Sequence, residues 1–203
     1  MNLKKQTIFF DVMDINMLGL EISATILGLT QGVLVLLNKR SNWIFYIAQM
    51  LCLIFFALAN KLYGDMTNSI IYLILGIVGW FLWSKKNSLA ITTCSWVERF
   101  IYVGVMLLGT FLLSSALKNT QDPLPLMDAF TTTSSFVATY YMLRKKIDTW
   151  IIWFINDICY SVQYAILPNP AYYLLSLNVV WTIMAVASYL YWRKLMIAKK
   201  TAS

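Results

Sequence analysis

Apolar blocks alternate with short polar pieces along almost the whole chain. The blocks run for about seventeen to twenty-two residues, and a helix of about 20 apolar residues crosses the hydrocarbon core of a bilayer. Their positions predict seven membrane-spanning helices, at residues 17–37, 43–59, 66–83, 100–117, 126–143, 149–167 and 171–192. Little chain remains between the blocks, so the pattern predicts a single all-α membrane domain over residues 1–203.

Two shorter features belong to this division. Residues 7–13 form a further apolar stretch, which is too short to span a bilayer and is interrupted by Asp11. Pro168 and Pro170 stand between the sixth and seventh spans. Proline ends a helix and permits a tight turn, so we expect these two spans to follow each other closely.

Composition agrees with a membrane protein and argues against other classes. Of the 203 residues, 60% are hydrophobic and 12% charged, whereas soluble domains carry about 25% charged residues. The net charge of +7 comes from basic pairs at the block ends, which is typical of loops flanking membrane helices and not of a nucleic-acid patch. Cys52, Cys94 and Cys159 lack metal-ligand spacing, and the sequence contains no His, phosphate loop or nucleophile elbow. We therefore predict no catalytic residues, no metal, no cofactor and no enzymatic activity.

The basic residues also predict an orientation. With seven spans, the loops after spans one, three and five share one side of the membrane with the C-terminus. That side carries twelve Lys and Arg residues and the other side carries four. Because loops rich in Lys and Arg stay in the cytoplasm, the C-terminus is predicted to be cytoplasmic and the N-terminus outside.

The chain contains an internal repeat. Glu21 and Asp128, near the starts of spans one and five, are each followed 22 residues later by a tryptophan, Trp43 and Trp150. The third and seventh spans end alike, at tryptophans that precede basic residues. Further pairs in the same register are Thr25 with Thr132, Lys39 with Lys146, Tyr46 with Trp153, and Gln49 with Asn156.

A duplicated three-helix unit needs one extra helix to keep both copies in the same orientation. We therefore predict repeat one at residues 17–83, a linker helix at 100–117 and repeat two at 126–192. This 3+1+3 arrangement of parallel repeats is that of SWEET-type proteins, and such folds hold their substrates near the membrane midplane. The alternative is that membrane helices resemble each other through composition alone.

The sixth span carries the candidate site. Trp150, Trp153, Asp157, Tyr160 and Tyr164 follow each other at intervals of three or four residues, which places them on one helix face. At ~1.5 Å per residue, Asp157 lies ~12 Å from the start of the span, near the centre of a ~30 Å core. A carboxylate that faced lipid there would cost at least ~2.5 kcal/mol, so Asp157 is predicted to face a cavity or a partner.

An acid beside aromatic rings fits an organic cation or an amine-bearing heteroaromatic, because the rings stack on the ligand and the carboxylate takes its charge or its N–H. The alternative is a protonated Asp157 that bonds a neighbouring helix. Asn156 adjoins it and could contact the same ligand. Gln49, Asn178 and Trp181 are further candidate contacts from other spans, although each could equally serve helix–helix packing.

Polar and aromatic residues at the span ends have simpler interpretations. Glu21 and Asp128 lie in first turns, where an acid interacts favourably with the helix dipole, and a gating role is the lesser alternative. Trp43, Trp83 and Trp192 lie at the predicted cytoplasmic ends. We expect these three to anchor the helices in the membrane interface.

Three stretches resemble the Pnu family of bacterial vitamin transporters. They are the run from Trp150 through Trp153 to Asp157, the Asn42-Trp43 start of span two, and residues 79–84 at the end of span three. The likeness extends from about Leu18 to Lys194. It implies facilitated diffusion of an unphosphorylated vitamin across the inner membrane, a cytoplasmic kinase that traps the vitamin, and assembly as a homotrimer.

The resemblance also bears on the vitamin. The family includes carriers of nicotinamide riboside (PnuC), thiamine (PnuT) and riboflavin, and its nicotinamide riboside type is expected to have Asn where this chain has Asp157. That difference favours thiamine, a cation with an amino-pyrimidine, and leaves nicotinamide riboside as the alternative. Carried over by position, Trp153 and Asp157 are the first expected contacts, followed by Trp150 and Gln49.

Two rival hypotheses come from other classes. One is a membrane scaffold that transports nothing. The other is a proton-coupled carrier in which Asp157 takes up the proton.

Overall fold

The computed structural model describes residues 3–59, 63–84, 89–120, 122–166 and 172–201. This part of the chain contains the seven helices that the apolar blocks predicted. They form two compact units, Met1–Ser84 with α1 to α3 and Lys85–Ser203 with α4 to α7. The helices are α1 Leu3–Leu36, α2 Asn42–Ala59, α3 Tyr63–Leu82, α4 Trp96–Leu117, α5 Pro125–Leu143, α6 Thr149–Ile166 and α7 Tyr172–Thr201.

Three helix ends differ from the predicted spans. α1 begins at Leu3, so residues 7–13 continue into the first span as part of one helix. α4 begins at Trp96, because Ser95 and Glu98 form a capping box in which each side chain accepts the other residue's backbone N–H. α7 runs on to Thr201. The predicted proline turn at 168–170 lies outside the described residues.

Helix composition matches a membrane environment. Within the described ranges, four segments are long and apolar enough to cross a bilayer: Gly19–Leu36, Asn42–Ala59, Trp96–Leu117 and Leu175–Lys199. α3 adds a shorter apolar segment, Met66–Leu82. α5 and α6 are more polar because they carry buried hydroxyl, amide and carboxyl groups. Most of the α5 hydroxyls bond to carbonyls of their own helix, which satisfies them without water.

Each unit contains a pair of tryptophans packed edge to face. Trp43 and Trp83 have ring centroids 5.5 Å apart at an interplanar angle of 89°. Trp150 and Trp192 have centroids 5.3 Å apart at the same angle of 89°. These four residues are equivalent in the sequence repeat, so the same spacing along the chain yields the same ring geometry in both units.

The tryptophan pairs correct one expectation. Trp43 and Trp192 are 0% exposed and Trp83 is 4% exposed, so the expectation that these residues anchor the membrane interface is wrong. Edge-to-face aromatic pairs gain energy beyond their buried area, and here they pack one helix of each unit against another. Position at a span end reveals depth in the membrane but not which way a ring points.

A glycine allows the close approach of α3 to α2. A Cβ added at Gly79 would fall on the Trp43 ring, which is fully buried and cannot withdraw. Gly79→Ala should therefore lower the free energy of unfolding by about 1–3 kcal/mol, the usual effect of overpacking. Thermal unfolding of the purified variant in detergent measures the change.

Gly104 on α4 is the matched control for this prediction. No described atom lies within 4 Å of its Cβ position. Gly104→Ala should be neutral or stabilise the protein by up to ~1 kcal/mol through helix propensity. Equal melting temperatures for the two variants would contradict the argument from close packing.

In the second unit, a set of polar contacts that we call the α4 clamp joins the start of α4 to the loop between α5 and α6. Asp148, 1% exposed, accepts hydrogen bonds from the Cys94 backbone N–H at 2.7 Å and from Arg99 Nε at 2.8 Å. Lys146 forms a second ion pair with Glu98, at 2.9 Å. The clamp therefore fixes the start of α4 to the loop between α5 and α6.

Backbone and thiol groups complete the α4 clamp. The Ile147 N–H donates to the Thr92 carbonyl at 2.9 Å, and the Thr92 N–H donates to the Lys145 carbonyl at 3.2 Å. Burial, reinforced by the neighbouring Asp148 carboxylate, raises the pKa of the Cys94 thiol to about 12. The thiol consequently stays protonated at neutral pH and packs as a small apolar group.

Candidate functional site

Helix α6 places the predicted site residues in the interior of the second unit. It packs against α5 on one side and α7 on the other. Asp157 lies midway between the helix ends at Thr149 and Ile166 and is 6% exposed. Asn156 is fully buried, whereas Trp153 and Tyr160 are half-buried.

Helix α5 carries a set of buried hydroxyls that we call the hydroxyl row: Thr131, Ser134, Ser135 and Thr139. All four are 5% exposed or less. Each donates its hydroxyl hydrogen to a carbonyl three or four residues earlier in α5, at distances from 2.7 to 3.2 Å. A hydroxyl that donates in this way presents only its oxygen lone pairs to a neighbouring helix.

One α6 side chain donates to the hydroxyl row. Asn156 Nδ2 donates to Ser135 Oγ at 2.7 Å. The Tyr160 hydroxyl lies beside the Thr131 and Ser135 side chains. The Asn156 donor is thereby directed toward α5.

Other polar atoms of α6 are buried without a hydrogen-bond partner in the described part of the chain. They are the indole Nε1 of Trp150 and Trp153, Asn156 Oδ1 and Gln163 Oε1. A buried polar group without a partner costs about 1–3 kcal/mol. Several such groups on one helix are typical of a place that a ligand or ordered water occupies.

Asp157 adds a carboxyl group to this face. Among the described residues the ion pairs are Arg99–Asp148 and Lys146–Glu98, and neither includes Asp157. The sequence has no Lys, Arg or His between Lys146 and Arg193. A cationic partner for this carboxyl, if it has one within the second unit, must therefore come from outside α5, α6 and the first two-thirds of α7.

Aromatic rings frame the carboxyl along the helix. Tyr160 and Tyr164 stack with centroids 5.7 Å apart and an interplanar angle of 13°. Trp153 packs at the edge of the core cluster formed by Val137, Ile152 and their neighbours. Trp150 is held by Trp192, so its ring is positioned by protein contacts and not open on all sides.

The remaining predicted site residues lie elsewhere. Asn178 and Trp181 are half-buried on α7, the helix that packs along α6. Asp128 is half-buried in the first turn of α5, where its N–H bonds the Leu124 carbonyl. Gln49 lies in the first unit, against Gly28, and Glu21 is exposed on α1. The structure thus brings Trp150, Trp153, Asn156, Asp157 and Tyr160 together on α6.

Ser135 and Gln163 are site residues that the sequence analysis missed. A signal for Ser135 existed, since the repeat offset of 107 residues that pairs Gln49 with Asn156 also pairs Gly28 with Ser135. Gln163 follows Asn156 by seven residues and shares its helix face. Neither residue stands out in the sequence alone, because a serine in a membrane helix commonly bonds its own backbone and a glutamine near a span end commonly faces water.

Several membrane-crossing helices with a buried polar site midway along one of them are features of multi-pass membrane transporters. The chain matches the model of the nicotinamide mononucleotide transporter family over residues 18–194, and it belongs to that family. This confirms the predicted Pnu-type vitamin transporter class.

Named relatives are similar at a moderate level. The nicotinamide riboside transporter PnuC of Neisseria mucosa is 25% identical over 190 residues, which cover 85% of this chain and 71% of that protein. The nicotinamide riboside transporter PnuC of Escherichia coli K12 is 24% identical over 179 residues, 72% of this chain and 74% of that protein. Both relatives carry the vitamin that the sequence analysis placed second.

A solved structure confirms the predicted fold. The crystal structure of the vitamin B3 transporter PnuC aligns with a TM-score of 0.71 at 21% identity, covering 95% of this chain and 90% of that chain. The all-α membrane fold of seven helices is therefore the fold of this protein. The sequence identity is too low for the alignment to carry a binding site across.

Proposed function

We propose that this protein carries nicotinamide riboside, or a closely related pyridinium nucleoside, across the bacterial cytoplasmic membrane by facilitated diffusion. Membership in the family and the names of its relatives support the vitamin class. The observation that carries the proposal is the buried Asp157 carboxyl among the aromatic residues of α6. Such a site suits a flat aromatic cation, since rings stack on its faces and the carboxylate compensates its charge.

The residues proposed to contact the vitamin are on α6 first. Trp153 offers a ring face and an indole N–H, and Asn156 and Asp157 offer oxygen acceptors. Tyr160 contributes its ring while its hydroxyl is directed to α5. Further proposed contacts are Gln49, Asn178, Trp181 and Trp150, whose ring packs against Trp192.

Thiamine is the second candidate, and Asp157 favours it. Thiamine combines a positively charged ring with an amino-pyrimidine, and a carboxylate can accept from that amino group while it compensates the charge. The nicotinamide riboside type is expected to have Asn at this position. Both vitamins are organic cations, so the same α6 face accommodates either by charge.

A carrier without an energy source accumulates its substrate only if the free substrate is removed after it enters the cell. We propose that a cytoplasmic kinase phosphorylates the vitamin after entry and so prevents its return, that the chain assembles as a homotrimer, and that the C-terminus is cytoplasmic. The distribution of Lys and Arg between the loops supports the orientation. The repeats at residues 17–83 and 126–192 would then move relative to each other during transport.

Binding to the purified protein tests the proposal. Nicotinamide riboside, thiamine and riboflavin are titrated side by side by calorimetry and by tryptophan fluorescence, and we expect saturable binding of nicotinamide riboside and none of riboflavin, which carries no positive charge. Tighter binding of thiamine would transfer the proposal to the second candidate. Binding of none of the three would leave the scaffold hypothesis.

Uptake into proteoliposomes separates facilitated diffusion from proton coupling. Equilibration of labelled vitamin without accumulation, unchanged when the proton gradient is collapsed, is the expected result. Accumulation that disappears with the gradient would instead assign Asp157 a proton.

A further inference from the structure

The orientation of the Asn156 side-chain amide is set by a residue on another helix. Asn156 is 0% exposed, and its Nδ2 donates to Ser135 Oγ at 2.7 Å. Ser135 Oγ itself donates to the Thr131 carbonyl at 2.7 Å, so its hydrogen is already used. Its oxygen can therefore serve only as an acceptor toward α6, and the amide nitrogen must face it.

The orientation of the amide nitrogen also determines where the amide oxygen of Asn156 points. Asn156 Oδ1 is buried with no hydrogen-bond partner in the described residues. A flipped amide would bring two oxygens together and remove the partner from a buried NH2 group, which is costly. The protein therefore directs a carbonyl oxygen, and not an NH2 group, away from α5.

The first unit repeats this arrangement with different residues. At the equivalent pair, a Cβ on Gly28 would meet Gln49, with Nε2 as the nearest atom and Oε1 farther away at 3.3 Å. Gln49 is one methylene longer than Asn156, and Gly28 lacks the side chain that Ser135 has. The longer side chain therefore fills the room that the serine side chain occupies in the second unit. Both units thus turn the amide nitrogen toward the helix packed beside it, α1 or α5, and the amide oxygen away from that helix.

Along α6, the buried polar atoms without a partner among the described residues consequently change from donors to acceptors at Asn156. Before it, the buried groups without a partner are the indole N–H donors of Trp150 and Trp153. From Asn156 onward, the corresponding groups are the acceptors Asn156 Oδ1 and Gln163 Oε1, together with the buried Asp157 carboxyl. Ser135 takes up the amide donor of Asn156.

We propose that Ser135 is a positioning residue that acts through Asn156, and that this contact makes the following part of α6 a surface of acceptors. Such a surface selects an organic cation that bears N–H donors and rejects an analogue with a carboxylate at the same place, because acceptors facing acceptors leave both without a partner. This inference rests on the proposed function and assigns the selectivity of that same site.

The ligand pair that tests selectivity is nicotinamide riboside and nicotinic acid riboside. They differ only in a carboxamide, which has N–H donors, and a carboxylate, which has none. The wild-type protein should prefer the carboxamide. In Ser135→Ala the Asn156 amide loses its acceptor and can rotate, so the ratio of the two dissociation constants should narrow by about fivefold, the effect of one hydrogen bond.

Ser134→Ala is the matched control. Ser134 is also fully buried, and in the described part of the chain its hydroxyl bonds only carbonyls of α5, those of Phe130 and Thr131. Its removal deletes the same atom from the same helix, so it should leave the ratio unchanged. A purely structural role for Ser135 would affect both ligands equally and would not move the ratio.

A conservative variant keeps the test independent of folding. Ser135→Thr retains the hydroxyl that accepts from Asn156 Nδ2 and should retain the wild-type ratio of the two dissociation constants. A wild-type ratio in Ser135→Ala, or the ratio of Ser135→Ala in Ser135→Thr, would overturn the positioning role and leave the proposed transport function unaffected. Wild-type protein that binds neither riboside nor thiamine would overturn both this inference and the proposed function.

Discussion

Asp157→Asn should weaken binding of the cationic vitamin by roughly tenfold to a hundredfold. The replacement keeps the size of the side chain and one acceptor oxygen but removes the charge. A hydrogen bond to a charged group contributes about 1.5–3 kcal/mol, and each 1.4 kcal/mol is about a tenfold change in affinity. Titration of the purified variant with nicotinamide riboside and with thiamine measures the loss.

A neutral ligand provides the control for the charge. The dihydropyridine form of nicotinamide riboside has nearly the same shape and the same carboxamide but no positive charge. The wild-type protein should prefer the charged form, and Asp157→Asn should bind both forms about equally. If the variant instead keeps the preference and melts at a higher temperature, Asp157 is a protonated residue that bonds a neighbouring helix, and the charge argument fails.

Asp148→Ala should produce the largest loss of stability. The Asp148 carboxylate is 1% exposed and accepts from the Cys94 N–H and from Arg99 Nε. Its removal leaves a buried N–H and a guanidinium without their acceptor, at a cost of about 2–4 kcal/mol. For a chain of this size that lowers the melting temperature by roughly 5–15 °C, which differential scanning fluorimetry in detergent detects.

Lys146→Gln is the control within the same clamp. Its ion pair with Glu98 is partly exposed, with side-chain exposures of 16% and 28%. Exposed pairs contribute about 0–1 kcal/mol, and the replacement leaves the Glu98 side chain in place to cap α4. A loss from Lys146→Gln as large as that from Asp148→Ala would show that charge in this loop, and not the buried acceptor, stabilises the clamp.

The two repeats fix equivalent loops in different ways. The position of Asp148 corresponds to Ser41 in the first unit. There Arg40 lies over the Trp80 ring at 3.5 Å from its centroid, and its Nε donates to the Trp80 carbonyl at 3.2 Å. The second unit contains α4 and uses a buried acid to hold it. The tryptophan pairs of the two units are therefore alike, while their loop contacts differ with the presence of α4.

The sequence by itself determined the number of helices, the repeat register and the central position of Asp157. The number of helices follows from length, since a span needs about 20 apolar residues. The importance of Asp157 follows from the free-energy cost of a carboxyl group within a span, which indicates a functional role. The sequence alone also shows that Trp43 follows Glu21, and Trp150 follows Asp128, at the same distance of 22 residues.

Only the tertiary structure decided which way the side chains face. Lipid and protein interior are equally apolar, so a membrane helix lacks the polar face that tells a soluble helix where water is. Trp43 and Trp192 were therefore predicted to be interface anchors, whereas each is buried in a ring pair, with Trp83 and Trp150 respectively. Nothing in the sequence distinguishes Ser135 from a serine that bonds only its own helix. The direction of the Asn156 amide depends on where the Ser135 hydrogen goes, and that depends on how α5 and α6 pack.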